Sequence, residues 1–180
     1  MPPRVKIERE DIIKTALEVL KNNGEEALNA RNIANLLGCS TQQIFSNFKT
    51  MEELKFEAVT FAQKLYYKFE QEYIKNNNFP PYKAKCVAYI TFAKNEGELF
   101  KILFLNKCEN PLNAQLEQIL IENFNFKEET AKLFNIEMWA FVHGMAVMTA
   151  NANFPLHDSL INRIFDDAYN GIKAQFNINE

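Results

Sequence analysis

Residues 29–54 read NARNIANLLGCSTQQIFSNFKTMEEL, and the organisation of the chain follows from this stretch. Asn29 precedes an apolar set, Ile33, Ala34 and Leu37, at helical spacing, and Gly38 closes it. Asn is a good helix opener because its side chain can accept a free backbone N–H, and Gly is a good closer because it tolerates positive φ. Ser40 and Gln43 then form the pair S-x-x-Q, in which each side chain can satisfy a backbone N–H of the other. Ile44 and Phe48 supply the buried side of this next helix, and Thr50 with Glu53 repeats the capping signal at the head of another. Two short helices separated by Gly38-Cys39 make a tight helical corner, the form of a helix-turn-helix.

That corner has a physical use. The first helix braces on the nucleic-acid backbone while the second offers its N-terminal half to the major groove. The second helix then needs polar side chains on one face and an apolar anchor on the other. Thr41, Gln42, Gln43, Ser46 and Asn47 are polar, and Ile44 and Phe48 face inward. Gln and Asn can make paired hydrogen bonds to adenine edges, whereas Ser and Thr are more permissive. The N-terminus at Ser40 also offers free N–H groups to a phosphate. Spacing alone leaves the bland alternative open, since capped corners also occur in helical proteins that bind no nucleic acid.

Working outward, the pattern is helical nearly throughout, without the period-two alternation of strands. A first helix is expected at 9–22, ended by Gly24. A long helix follows the corner, with Leu54, Ala58, Phe61, Leu65, Phe69 and Tyr73 as its apolar repeat; Asn76-Asn77-Asn78 frays it and Pro80-Pro81 stops it. Further helices are expected over about 82–95, around 99–104, from Asn110-Pro111 to about Asn123, over 127–151 and over 158–176. Met138 to Ala150 is apolar on nearly every side, which predicts burial all round. The fold class is therefore all-α, with about nine helices: a DNA-binding head at 1–55, joined by the long helix to a helical bundle at 56–180.

Bulk properties narrow the classes. The chain has 180 residues with 47% hydrophobic content, ample for a core. Its net charge of −3 means that any DNA claim rests on placement of residues, because strongly basic balance is absent. Cys39, Cys86 and Cys108 are odd in number and widely spaced, which fits no disulfide framework and no zinc site. MPPRVKIERE lacks the apolar core of a signal peptide, and Met138–Ala150 is about half a membrane span. A cytoplasmic, soluble protein is expected. Cys86 or Cys108 with His143 could be imagined as nucleophile and base, but nothing in the spacing joins them and no Gly-rich turn prepares an oxyanion site. No enzyme, metal or cofactor is implied.

The ordered set Ile12-x3-Ala16-Leu17, Gly24, Leu28, Arg31-x-Ile33-Ala34, Leu37-Gly38-x-Ser40, Ile44-Phe45-x-x-Phe48 and Leu54 resembles the DNA-binding head of the tetracycline-repressor (TetR) family of bacterial regulators. The resemblance implies that Arg31 contacts phosphate or a base and that Ser40, Thr41, Gln42 and Gln43 approach the groove. Phe45 stands where the family usually has a phosphate-binding Tyr, Asn47 where His is frequent, Met51 where Lys is usual, and Asn29 where Thr is frequent. Lys49, with Arg4 and Lys6 of the N-terminal arm, is expected to offset the lost contacts. The body is similar in layout, and Trp139-x3-His143-Gly144 resembles a subgroup signature. The resemblance implies a homodimer through the last two helices, a palindromic double-stranded operator, and a small, largely apolar effector whose binding shifts head spacing and releases a repressor. Phe92, Phe100, Phe104, Trp139, His143 and Met148 are the candidate pocket wall, each with ordinary core packing as the alternative. A rival reading from another class is a ligand-independent architectural or interaction module built on the same corner.

Overall fold

A computed structural model describes residues 7–105, 113–151 and 156–176. Among them are nine α-helices and no strand, as expected: α1 Arg9–Asn23, α2 Ala30–Leu37, α3 Thr41–Asn47, α4 Met51–Asn76, α5 Pro81–Asn95, α6 Gly97–Phe104, α7 Asn113–Phe124, α8 Glu128–Ala150 and α9 Asp158–Gln175. A single 3-10 turn, Glu25–Ala27, joins α1 to α2 and carried no recognisable signal in the sequence. Arg4, Lys6, Cys108 and the Asn110-Pro111 opening lie outside the described residues. No described helix is long and apolar enough to cross a membrane.

The chain divides into two compact units, 1–66 and 67–180, with the division falling inside α4. The first unit holds α1 to α3 and the N-terminal part of α4. Ile12, Ala16, Ile33, Ala34, Ile44, Phe48, Leu54 and Ala58 form its fully or nearly fully buried core. Each element there is opened or closed by a short-range polar device. Asn29 Oδ1 accepts the Asn32 N–H at 3.0 Å. Gly38 takes the left-handed conformation at φ 63°, and Cys39 N–H reaches back to the Ala34 carbonyl at 2.9 Å. That back-bond satisfies a carbonyl the helix end leaves free.

In the second unit α5 is central, packed against α6, α7, α8 and α9. It is buried around most of its circumference, from Tyr82 to Ala93. Two lysines on it are admitted because they are paired. Lys83 Nζ lies 2.7 Å from both Asp166 oxygens on α9, and Lys85 Nζ lies 3.3 Å from the buried Glu70 on α4. Asn135, wholly buried on α8, accepts from Tyr82 Oη at 3.3 Å.

Two expectations about burial are corrected here. Residues 138–150 are not enclosed on all sides, because Ala140, Gly144 and Met148 are exposed; the more enclosed helix is α5. Hydropathy ranks α8 higher, but position in the bundle decides, and α5 has neighbours on more sides. In α4 the buried line is Leu54, Ala58, Ala62, Tyr66 and Glu70, so Leu65 falls on the exposed side. The largest apolar side chains did not mark the inner face. Small Ala62 permits close approach, and Glu70 tolerates burial through Lys85.

Candidate functional site

The corner at 38–40 connects α2 to α3 within the first unit. Gln43 Oε1 accepts the Ser40 N–H at 3.1 Å, closing the capping box that the sequence pattern predicts. On the underside Ile44 and Phe48 are 0% and 1% exposed, so α3 is anchored by two apolar side chains. On the outside Ser40, Thr41, Gln42, Phe45, Ser46 and Lys49 are exposed, and so is Arg31 on α2. Gln42, Phe45 and Ser46 follow the helical repeat and share one face, and Lys49 lies just beyond the end of the helix. Gln43 and Asn47 are only half-exposed, and their groups are partly engaged. Gln43 caps the helix, and Asn47 Nδ2 donates to the Gln43 carbonyl at 2.9 Å. The sequence reading grouped all of these residues; the structure separates an outward set from a helix-stabilising pair.

The electrostatics of this unit are more constrained than its neutral balance suggests. Lys14 is held by Glu10 at 2.6 Å, and Lys55 is paired with Glu25. At the start of α4, where a cation would attract phosphate, Glu53 accepts the Lys49 backbone N–H at 2.7 Å, and Glu52 stands beside it. The Lys49 hydrogen bond, then the Arg9 guanidinium, hold the Glu53 carboxyl below its ordinary range.

Arg9 was legible only as one charge among many. Its guanidinium lies over the Phe48 ring, 3.9 Å from Cζ to the centroid. It donates to the Asn47 carbonyl, to Glu53 Oε1 at 3.1 Å and to Glu57. These partners lie 38, 44 and 48 residues away, so no local pattern could have marked the residue. The hydrogen bond to Glu57 is the main reason its pKa is raised.

In the second unit the structure brings four of the six aromatic-wall candidates together. Trp139 stacks on His143 one turn along α8, with centroids 4.7 Å apart and planes 11° from parallel. His143 Nδ1 is 3.0 Å from Tyr89 Oη. Phe100 and Phe104 pack on the Tyr89 ring at 5.2 and 5.0 Å. Burial lowers the His143 pKa, so the neutral imidazole is favoured. Among the described residues, the buried Trp139 indole nitrogen has no hydrogen-bond partner. Phe92 packs on Phe69 at 5.4 Å, and Met148 is 47% exposed on α8. Tyr89 was missed as a site residue, although it sits one turn before Phe92 on the same helix.

Cys86 is buried, and burial pushes its thiol far above the ordinary value, which keeps it protonated and inert. Among the described residues no group of three or more His, Cys, Asp or Glu side chains is placed to hold a metal ion.

The fold is that of an all-α protein with an N-terminal helix-turn-helix unit, followed in the chain by a second helical unit. It is similar to the solved structure of the ketosteroid transcriptional regulator KstR2 of Mycobacterium tuberculosis, with a TM-score of 0.60 over 93% of this chain and 96% of that one, at 11% identity. At that identity the likeness establishes the fold. It agrees with the architecture that the resemblance of residues 12–54 implied. No family model matches the sequence, and no curated protein matches it.

Proposed function

We propose that the chain is a sequence-specific, double-stranded-DNA-binding transcriptional regulator of the cytoplasm that works as a homodimer and is released from a palindromic operator by a small, largely apolar effector. The observation that carries this reading is α3 itself. It is pinned below by Ile44 and Phe48 and presents Thr41, Gln42, Phe45 and Ser46 outward, with Lys49 exposed just past its end. Gln42 and Thr41 offer hydrogen bonds to base edges, and the exposed Phe45 ring suits a thymine methyl. Arg31 and Lys49 are the phosphate contacts.

Dimerisation is supported by a line of exposed apolar and small residues on α8, Leu133, Ile136, Ala140, Gly144 and Met148, at helical spacing, with Leu160 exposed on α9. Small residues allow two helices to approach closely, and a four-helix interface between two copies would cover this line. Successive half-sites lie about 34–36 Å apart, so reading a palindrome requires two linked heads. The effector reading, like the Trp-x3-His-Gly subgroup, is supported by the cluster of Tyr89, Phe100, Phe104, Trp139 and His143. A ligand with an apolar body and one hydrogen-bond acceptor would satisfy the Trp139 N–H, whose isolation is otherwise costly.

The test is selection of bound duplexes from a random library at moderate salt, followed by sequencing. An enriched palindrome with half-sites one helical turn apart is expected. Retention at low salt only, without enrichment, would favour the architectural module, a reading that the carboxylates at the start of α4 make concrete. No retention at all would overturn DNA binding.

A further inference from the structure

Arg9 opens α1, yet everything it touches belongs to the delivery of α3. One guanidinium reaches the carbonyl of Asn47, the last residue of α3, and the carboxylates of Glu53 and Glu57 in the first two turns of α4. Its flat face covers Phe48, the link between the two helices, which is 1% exposed. Glu53 is itself fixed by the Lys49 backbone N–H at 2.7 Å, and Thr50 Oγ1 accepts the Glu53 N–H at 3.1 Å. The start of α1, the end of α3, the link at 48–50 and the start of α4 therefore meet at one side chain. This geometry needs a planar, forked donor. A lysine carries the same charge but cannot stack on Phe48 and fork to three acceptors at once.

We propose that Arg9 is a positioning residue for base reading: it sets the angle at which α3 presents Thr41 and Gln42, and it is not a phosphate contact. The proposal rests on the DNA-binding reading above. Two carboxylates already neutralise the guanidinium, so little of its charge is left for a DNA backbone. The α3 helix has only seven residues and is held below by two side chains, so its end has few other constraints.

The experiment measures binding of the full-length chain to its selected duplex and to a scrambled duplex, each over a salt series. The variants are Arg9→Lys, Arg9→Gln and Glu57→Gln, with α-helical content and thermal unfolding followed alongside. Arg9→Lys is expected to fold, to lower the ratio of specific to scrambled affinity by about tenfold, the order of one mis-read base pair, and to keep the salt slope. Glu57→Gln should lower the ratio in the same direction while removing no positive charge. A salt slope reduced by about one, with affinity lost equally on both duplexes, would make Arg9 a phosphate contact and overturn the proposal. A wild-type ratio in Arg9→Lys would overturn it as well. Failure of the wild type to enrich any duplex would instead remove the DNA-binding reading, and this proposal with it. Should Arg9→Gln fail to fold, Arg9→Lys and Glu57→Gln still decide the matter.

Discussion

The two units of this chain hold their candidate sites in opposite ways. In the first, the outward side chains of α3 contribute almost nothing to the core. They are displayed on a helix fixed by Ile44, Phe48, a capping box and the Arg9 fork. In the second, the candidate site is the core: Phe100 is 0% exposed, and Tyr89, Phe104, Trp139 and His143 pack on one another. Function and stability are separable in the head and entangled in the body. The single tryptophan, Trp139, lies in the body cluster, so its fluorescence reports the second unit, while helical circular dichroism reports both.

The largest effect is expected in the body. Phe100→Ala removes a fully buried ring that packs on Tyr89, Phe104 and His143, at a cost of about 3–5 kcal/mol. Urea unfolding followed by Trp139 fluorescence should show it. A cost below about 1 kcal/mol would mean that the cluster is loosely packed rather than core, contrary to the comparison.

Gly97→Ala comes next. A Cβ there would stand 2.6 Å from the backbone carbonyl oxygen of Ala150, where α6 starts against the end of α8. Backbone cannot yield as a side-chain tip can, so about 1–3 kcal/mol should be lost by the same fluorescence measurement. A neutral outcome would show that α6 can shift away from α8.

That glycine illustrates what could be read from the residue order and what could not. The ends of α1, α2 and α3 were legible because Gly24, Asn29, Gly38 and Ser40 act within a few residues of themselves, and the end of α4 because Asn76-Asn77-Asn78 and Pro80-Pro81 do the same. The polar face of α3 was legible for the same reason. Gly97 falls only in the gap between the helices expected over about 82–95 and around 99–104, since its partner, Ala150, is far along the chain. Arg9 was illegible on the same ground. In the body, the sequence points to α8 as the enclosed helix and gives α5 no distinction, because hydropathy measures composition and not the number of neighbours. Phe100, Phe104, Trp139 and His143 were picked from composition and do meet, but Tyr89, which joins them, carried no signal that distinguished it from other core aromatics.

Gly38→Ala should cost less, about 1–2 kcal/mol, and in the other unit. At φ 63° a side chain is strained, but no atom lies within 4 Å of the new Cβ, so the cost is purely that of the backbone. Circular dichroism should register it. If the Trp139 transition moves by the same amount, the two units unfold as one, and head and body are not separable in cooperativity.

The smallest stability effect belongs to Gln42→Ala. The side chain is exposed on α3 and has no part in the capping box, so unfolding should change by no more than about 0.5 kcal/mol. Binding to the selected duplex should nevertheless fall by about 1–3 kcal/mol, with preference relaxed at one base pair. Gln43→Ala makes the matched control. It deletes the acceptor of the Ser40 N–H and should lower stability as well as binding. If Gln42→Ala destabilises as much as Gln43→Ala, the outward face of α3 is structural and the head resembles the body after all. If Gln42→Ala leaves both stability and base preference untouched, recognition lies with the rest of the face, Thr41, Phe45 and Ser46, and the comparison survives with its key residue reassigned.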